Sequence, residues 1–589
     1  MRRKNLEKRL NLFMMLIAAL AVISLIGKSG FGFSGGTVRV FYYIDTFIIA
    51  AFIANAVARL FIAPNWWRYI KKHPLQYILI LLFVSQLLIA QLILTDVGYK
   101  YILNQLSLAG ITKIYIVLMQ LYILVELLAE FGRLNTRFAN LPLSPAAVFV
   151  SSFLILITVG TFLLLLPGAT GDKGIKFIDA LFTSTSATCV TGLIVVSTED
   201  CFTRFGHIVI LILIQFGGLG LMTFGTFFAL IFRREFGLRE KTLLGDVLNV
   251  QVFGKIKSLL AAIIGITLVT EAIGAVLMYF STGPYADRIN SRVFWSIFHS
   301  ISAFCNAGFS IWRENIGRFT GDWKMTFIFA GLIILGGLGF VVLADIGRYI
   351  ISPWRYKRRK IPHFSLQTRV VVTTTMFLIF VGMFLLIAGD TNNQLRRFGW
   401  PVTLLTAFFQ SVTARTAGFN TVNIGALAVG QLLVLIILMF IGASPGSTGG
   451  GIKTTTIASV LGSIPDKLRG RNRVSMFGRT LPAGIARVAA MIIVLALGII
   501  SLATYLLCTF ELAKHPDWRF IDILFEVTSA FGTVGLSTGH TFDLSAASKL
   551  VLIFTMFLGR VGPLTFLFAV SRHVKPKRIE NVEESIMVG

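Results

Sequence analysis

The chain has 589 residues, 55% of them hydrophobic and only 14% charged, with a mean hydropathy of +0.80, which excludes an ordinary soluble protein and implies a polytopic membrane protein. A formal net charge of +27 would suit nucleic acid, but the basic residues gather in alternate loops: Arg68, Lys71 and Lys72; Arg233, Arg234, Arg239 and Lys241; Arg348, Arg355, Lys357, Arg358, Arg359 and Lys360; Arg469, Arg471, Arg473 and Arg479; Arg572, Lys575, Lys577 and Arg578. That is the positive-inside pattern, with anionic membrane lipid as the partner and no nucleic acid.

In chain order, MRRKNLEKR precedes a first apolar run of about residues 10–27 with no cleavage site, so it reads as a retained start-transfer helix with a cytoplasmic amino terminus. Runs near 41–63, 75–95 and 108–130 are also long enough to span. Residues 1–140 are therefore expected to form an N-terminal bundle of four helices, returning the chain to the cytoplasm at Arg133 and Arg137. The fourth run carries no basic residue at every third position, so the bundle is not a voltage sensor.

Beyond residue 140 a polar, glycine-bearing hairpin recurs four times: FTSTSATCVTGL, FHSISAFCNAGFS, FQSVTARTAGFN and FEVTSAFGTVGLS. Aligned on Gly192, Gly308, Gly418 and Gly535, each has a Phe ten residues earlier (Phe182, Phe298, Phe408, Phe525). Three have Ser-Ala at the same place, and the third has Val412-Thr413. The glycines are 116, 110 and 117 residues apart. Each unit places a long apolar helix, a short helix, the hairpin and a second apolar helix in the same order, a membrane–pore loop–membrane repeat. The expected units are residues 141–240, 241–355, 356–465 and 466–589, the last with the basic tail. The expected fold is an all-α integral membrane protein with the four repeats in a pseudo-fourfold arrangement.

Backbone outside helices and closed sheets survives at membrane depth only when it is buried in protein or lines a watery cavity. Four such hairpins around an axis would offer a ring of carbonyl dipoles able to replace the hydration shell of an alkali cation. The candidate carbonyls are those of Thr191, Ala307, Ala417 and Val534, together with the glycines that follow. Repeats that all run the same way favour a pore over the inverted repeats of a solute symporter. No HxxxH or HExxH group marks an enzyme, and the four scattered cysteines imply neither a disulfide framework nor a metal site.

The third unit's second helix is interrupted by GASPGSTGGGIKTTT, which cannot continue as helix. It is no phosphate loop, because Ile452 separates Gly451 from Lys453. Arg560 lies inside an apolar helix, where a cation needs water or a partner. Glu271 and Glu526 are apolar-segment acids suited to drawing cations, carrying coupling protons or holding local amides and hydroxyls, the last being favoured. Asp345 reads as a helix-end partner for Arg348.

The hairpins CVTGL, CNAGFS, RTAGFNT and TVGLSTG, with GASPGSTGGGIKTT and GRVGPLTF, resemble the Trk/Ktr/HKT superfamily of potassium transport proteins, nearest to its TrkH and KtrB pore subunits. The resemblance covers about residues 140–573. It implies K+ as substrate, since glycine at all four hairpin positions goes with potassium preference, with sodium dependence allowed and a sodium-selective protein or a sodium- or proton-coupled potassium carrier as the alternative. It further implies a gate made by Gly442, Ser444, Gly446, Ser447, Thr448, Gly449, Gly450, Gly451 and Lys453 with Arg560, and Arg415 as a brace behind the filter. The implied assembly is a homodimer in the cytoplasmic (inner) membrane, both termini cytoplasmic. Its implied partner is a TrkA- or KtrA-like cytoplasmic ring, through which alone an adenine nucleotide would act.

Overall fold

The computed structural model describes residues 145–171, 174–231, 256–288, 291–355, 363–470, 474–482 and 484–570, with isolated positions between 10 and 77. The four leading spans and the basic tail lie largely or wholly outside the described residues. Two compact units divide the chain: Met1–Pro142 with Leu166–Asp172, and Leu143–Leu165 with Lys173–Gly589. In the first, Pro167–Thr170 forms one helical turn that Pro167 opens, its fixed φ suiting a helix start.

Among its described residues, the second unit is all-α apart from a two-stranded ribbon, Ser475–Met476 (β1) with Arg479–Thr480 (β2). It contains four outer helix–pore helix–inner helix units. The first is α1 (Pro145–Leu164), α2 (Phe177–Thr188) and α3 (Arg204–Ile231). The second is α4 (Ile256–Ser281), α5 (Arg292–Phe304) and α6 (Trp323–Leu338), continued by α7 (Phe340–Arg355). The third is α8 (Leu366–Ala388), α9 (Trp400–Thr413) and α10 (Val429–Phe440), continued after a loop by α11 (Thr454–Leu468). The fourth is α12 (Ile485–Glu511), α13 (Phe520–Gly532) and α14 (Ala546–Val561), continued by α15 (Pro563–Val570).

Ala261–Ser281, Leu366–Ala388 and Ile485–Glu511 are each long and apolar enough to cross a bilayer. The inner helices of the second and fourth units break at a glycine. Gly339 (φ 92°) turns the chain by 106° and Gly562 (φ 87°), followed by Pro563, by 96°; a side chain would resist such φ values.

Pore helices are pinned to outer helices by hydroxyls. Ser184 Oγ donates to the Ile157 carbonyl at 2.7 Å, Ser300 Oγ to Glu271 at 2.6 Å and Ser411 Oγ to Ile379 at 2.8 Å. Gly160, Gly274 and Gly382 make the space, since a Cβ on any of them would fall on the same hydroxyl. In the fourth unit the corresponding residue is the buried Val527.

This register corrects the sequence alignment of the third unit. Phe409 is fully buried, as are Phe182, Phe298 and Phe525, whereas Phe408 is only partly buried. Thr413, four residues after Phe409, takes the place of Ser186, Ser302 and Ser529. The third hairpin is therefore one residue shorter than the others, and Thr413-Ala414 is its Ser-Ala pair. Counting backward from the glycine across that deletion put Phe408 in place of Phe409.

Candidate ion pathway

Each pore helix ends in a hairpin that turns back on a short set of bonds. The amides of Thr191, Ala307 and Val534 donate to the carbonyls of Ser186, Ser302 and Ser529 at 2.7–2.9 Å, and Ala417 to Thr413 at 2.9 Å. The same side chains grip the far arm. Ser186 Oγ and Ser529 Oγ accept from the Gly192 and Gly535 amides at 3.1 Å, and Ser302 Oγ and Thr413 Oγ1 donate to Phe309 and Phe419.

Two residues of every hairpin have positive φ: the expected glycine (Gly192 90°, Gly308 68°, Gly418 77°, Gly535 91°) and the residue two before it (Val190 57°, Asn306 59°, Thr416 72°, Thr533 49°). The second set was not read from the sequence, because Val and Thr are poor candidates for that region. Such strained positions persist only where surroundings over-determine them, and they gather at functional sites.

The four glycines meet. A Cβ on Gly192 would fall on the Ala307 carbonyl, one on Gly308 would lie 2.8 Å from the Ala417 oxygen, one on Gly418 would fall on the Val534 carbonyl and one on Gly535 on the Thr191 carbonyl. The order first, second, third, fourth, first closes a ring. All four carbonyls singled out in the sequence lie in it, and Thr191, Ala307, Ala417 and Val534 are fully buried. The hydroxyls of Thr188, Thr191 and Thr416 are buried with no protein partner in the structure.

Beneath the ring lies the loop between α10 and α11. A parallel bridge pairs Ile441 with Ile452, and Gly442 is packed against the Gly450 carbonyl, so the loop's ends are closed on each other. Ser444 N donates to Gly337 O at 3.0 Å, Thr448 N to Gly336 O at 3.2 Å and Thr448 Oγ1 to Phe304 O at 3.1 Å. The Gly446 carbonyl accepts from Phe340 N at 2.9 Å, and Ser447 Oγ donates to Ser444 O. Gly449 faces the Thr416 hydroxyl, and Gly450 N donates to Thr533 Oγ1 at 3.1 Å. Gly451 (φ 65°) packs on Gly532, while Lys453 Nζ donates back to Gly449 O at 2.8 Å. Arg560 donates to the carbonyls of Thr448 and Gly217, reaching both this loop and the first unit's inner helix.

The remaining charged residues divide sharply. Glu526 accepts from Ser537 Oγ (2.7 Å), Thr538 N (2.8 Å), Thr538 Oγ1 (3.1 Å) and Thr541 Oγ1 (2.6 Å), tying α13 to the outgoing arm of its hairpin. Its counterparts, one residue after the buried Phe, are His299, whose Nε2 meets Ser310 Oγ at 3.0 Å, and Gln410, whose Nε2 donates to Thr421 Oγ1 at 3.3 Å. An alignment on Phe409 would have exposed this polar series. Arg415 turns toward α8, donating to Thr375 Oγ1 at 3.3 Å. Asp345 feels the charge of Arg348, as expected, but makes no close ion pair with it. Its carboxylate accepts from Ser365 N at 3.0 Å and Thr368 Oγ1 at 2.7 Å, because the first turn of α8 offers unsatisfied amides where an anion is favoured.

A ring of four same-way hairpins with irregular backbone buried among membrane helices defines a membrane transport protein rather than an enzyme. The chain belongs to the TrkH family of cation transport proteins, whose profile matches residues 133–580. It is 38% identical over 431 residues to the Ktr system potassium uptake protein B of Bacillus subtilis (strain 168), covering 73% of this chain and 93% of that one. It is 35% identical over 457 residues to the potassium/sodium uptake protein NtpJ of Enterococcus hirae, covering 76% and 98%. Its fold is similar to the crystal structure of the potassium transporter TrkH from Vibrio parahaemolyticus, with a TM-score of 0.60 at 19% identity over 83% of this chain and 97% of that one.

Proposed function

We propose that this protein takes up potassium across the cytoplasmic membrane. The ion loses its water at the carbonyls of Thr191, Ala307, Ala417 and Val534 and their glycines, and then passes the Gly442–Lys453 loop. The observation that carries this reading is the closed ring, in which each glycine admits the next unit's carbonyl. Oxygen dipoles from four sides substitute for the hydration shell of a dehydrated cation. The inside-negative potential drives entry with about 2.3 kcal/mol per charge per 100 mV.

The loop with Arg560 acts as the gate, its bonds to Gly336, Gly337, Phe304 and Thr533 being the ones that must break for passage. Lys453 and Arg560 add positive charge at that level. A cytoplasmic nucleotide-binding ring resembling TrkA or KtrA controls the loop, in a homodimer with one pore per protomer. The relative named for both potassium and sodium makes sodium the cation to compare.

The test is rubidium and sodium uptake into proteoliposomes under an imposed potential, for the wild type and Gly192→Ser. Rubidium flux that falls while sodium flux rises in the variant supports the filter. No cation flux in either protein, with the cytoplasmic partner supplied, overturns it.

A further inference from the structure

One intramembrane carboxylate is not used by this pathway. Glu271 of α4 is buried, and its two oxygens accept from Gln215 Nε2 at 3.3 Å and from the Cys305 thiol at 3.8 Å. The same thiol lies 3.9 Å from Gln215 Oε1, so its single hydrogen serves one acceptor at a time, and the Gln215 amide is the closer donor to the carboxylate. Both donors are neutral, and a buried charge needs an opposite one. Among the described residues none forms an ion pair with it. Arg560 of α14, which reaches α3, gives its bonds to the carbonyls of Thr448 and of Gly217, two residues beyond Gln215.

Among the described residues, the matching positions of the other units carry different groups. The carbonyl that accepts from the pore-helix serine belongs to Glu271 in the second unit, but to Ile157 in the first and Ile379 in the third. Gln215 stands two residues before Gly217, which receives the Thr188 carbonyl. The residues two before Gly336 and Gly559, which receive the Phe304 and Phe531 carbonyls, are Ile334 and Phe557. Cys305 lies three residues before Gly308 and is held against Gly218, where a Cβ would stand 2.8 Å from its sulfur. The acid therefore sits directly behind the second hairpin, on the side away from the ring.

We propose that the Glu271 carboxylate supplies a fixed negative charge from behind the second hairpin, raising the affinity of the ring for its cation. It is an affinity-determining residue that never touches the ion: Gln215 and Cys305 orient it, and the cation in the ring is its counter-charge. The proposal rests on the reading of the hairpins as the filter. Loss of one unit charge acting through protein over roughly 10 Å should weaken ion binding about tenfold.

The test is the concentration dependence of rubidium uptake for wild type, Glu271→Gln, Glu271→Asp and Gly308→Ser. Glu271→Gln keeps the shape and removes the charge. An apparent KM raised about tenfold with Vmax near wild type, and brought back toward wild type in Glu271→Asp, supports the proposal. Unchanged KM in Glu271→Gln, or a loss of Vmax alone, overturns it and leaves the carboxyl a neutral packing group. Gly308→Ser separates the two readings. If it alters rubidium-to-sodium preference while Glu271→Gln changes nothing, the filter stands and the charge does not; if it alters nothing, the filter reading itself falls.

Discussion

Adding one methyl group at Gly308 would place a carbon 2.8 Å from the Ala417 oxygen and 3.0 Å from the Gly418 Cα, at a φ of 68° that alanine resists. Gly308→Ala should therefore lower rubidium uptake and its preference over sodium even where the protein still inserts. Gly265→Ala, with nothing within 4 Å of the new carbon, should leave uptake and thermal stability within about 1 kcal/mol of wild type. Glu526 makes a different kind of demand. Glu526→Ala strands four donors, and the variant should lose about 3 kcal/mol or more of stability, read as a lowered Tm in detergent. These residues also differ in legibility. Gly308 stands out by repetition. Thr416 and Thr533 could not, since their positive φ comes from the closure of the hairpin onto neighbouring backbone, against their own preference.

Among elements, α14 is joined to α2 by Lys549 Nζ and Asp179 Oδ1 at 2.7 Å, both side chains about 11% exposed. This bond links the last unit's inner helix to the first unit's pore helix. Lys549→Met alone should cost about 3–5 kcal/mol, because it leaves a buried carboxylate without its partner. The double variant Lys549→Met, Asp179→Leu should recover most of that, and a double-mutant cycle by thermal melting would show the coupling. The loop between α10 and α11 poses the complementary question. In Arg560→Ala its Thr448 carbonyl loses a donor, and uptake without any cytoplasmic partner should rise; rubidium flux in proteoliposomes checks it. The loop itself was visible as five glycines within ten residues. Its anchors, the Gly336, Gly337 and Phe304 carbonyls, were not, because backbone acceptors freed at a bent helix carry no side-chain signature. The shortened third hairpin escaped for a related reason: a one-residue deletion leaves the glycine spacing almost unchanged while moving every side chain behind it.

At the scale of the whole molecule, the repeat spacing alone implied four units around an axis, and the all-α fold with outer, pore and inner helices has that form. The seam contacts did not follow, since they join residues as far apart as Gln215 with Glu271 (56 positions) and Lys549 with Asp179 (370 positions), whose pairing depends on register. If the hairpins form the proposed filter, a cation held by all four would stabilise the assembled unit as a whole. Potassium at about a hundred times its Kd should add about 2.7 kcal/mol, seen as a Tm raised by a few degrees over lithium and absent in Gly308→Ala.

Because the ring is drawn from one polypeptide, a codon change alters a single quadrant. A channel assembled from four identical subunits can revise its filter only in all quadrants at once, so every trial is a fourfold trial. Here Glu271 behind one hairpin, Arg415 in the next and the glycine-rich break in a single inner helix are each present once. Unequal walls around a common axis are thus open to inheritance one side at a time.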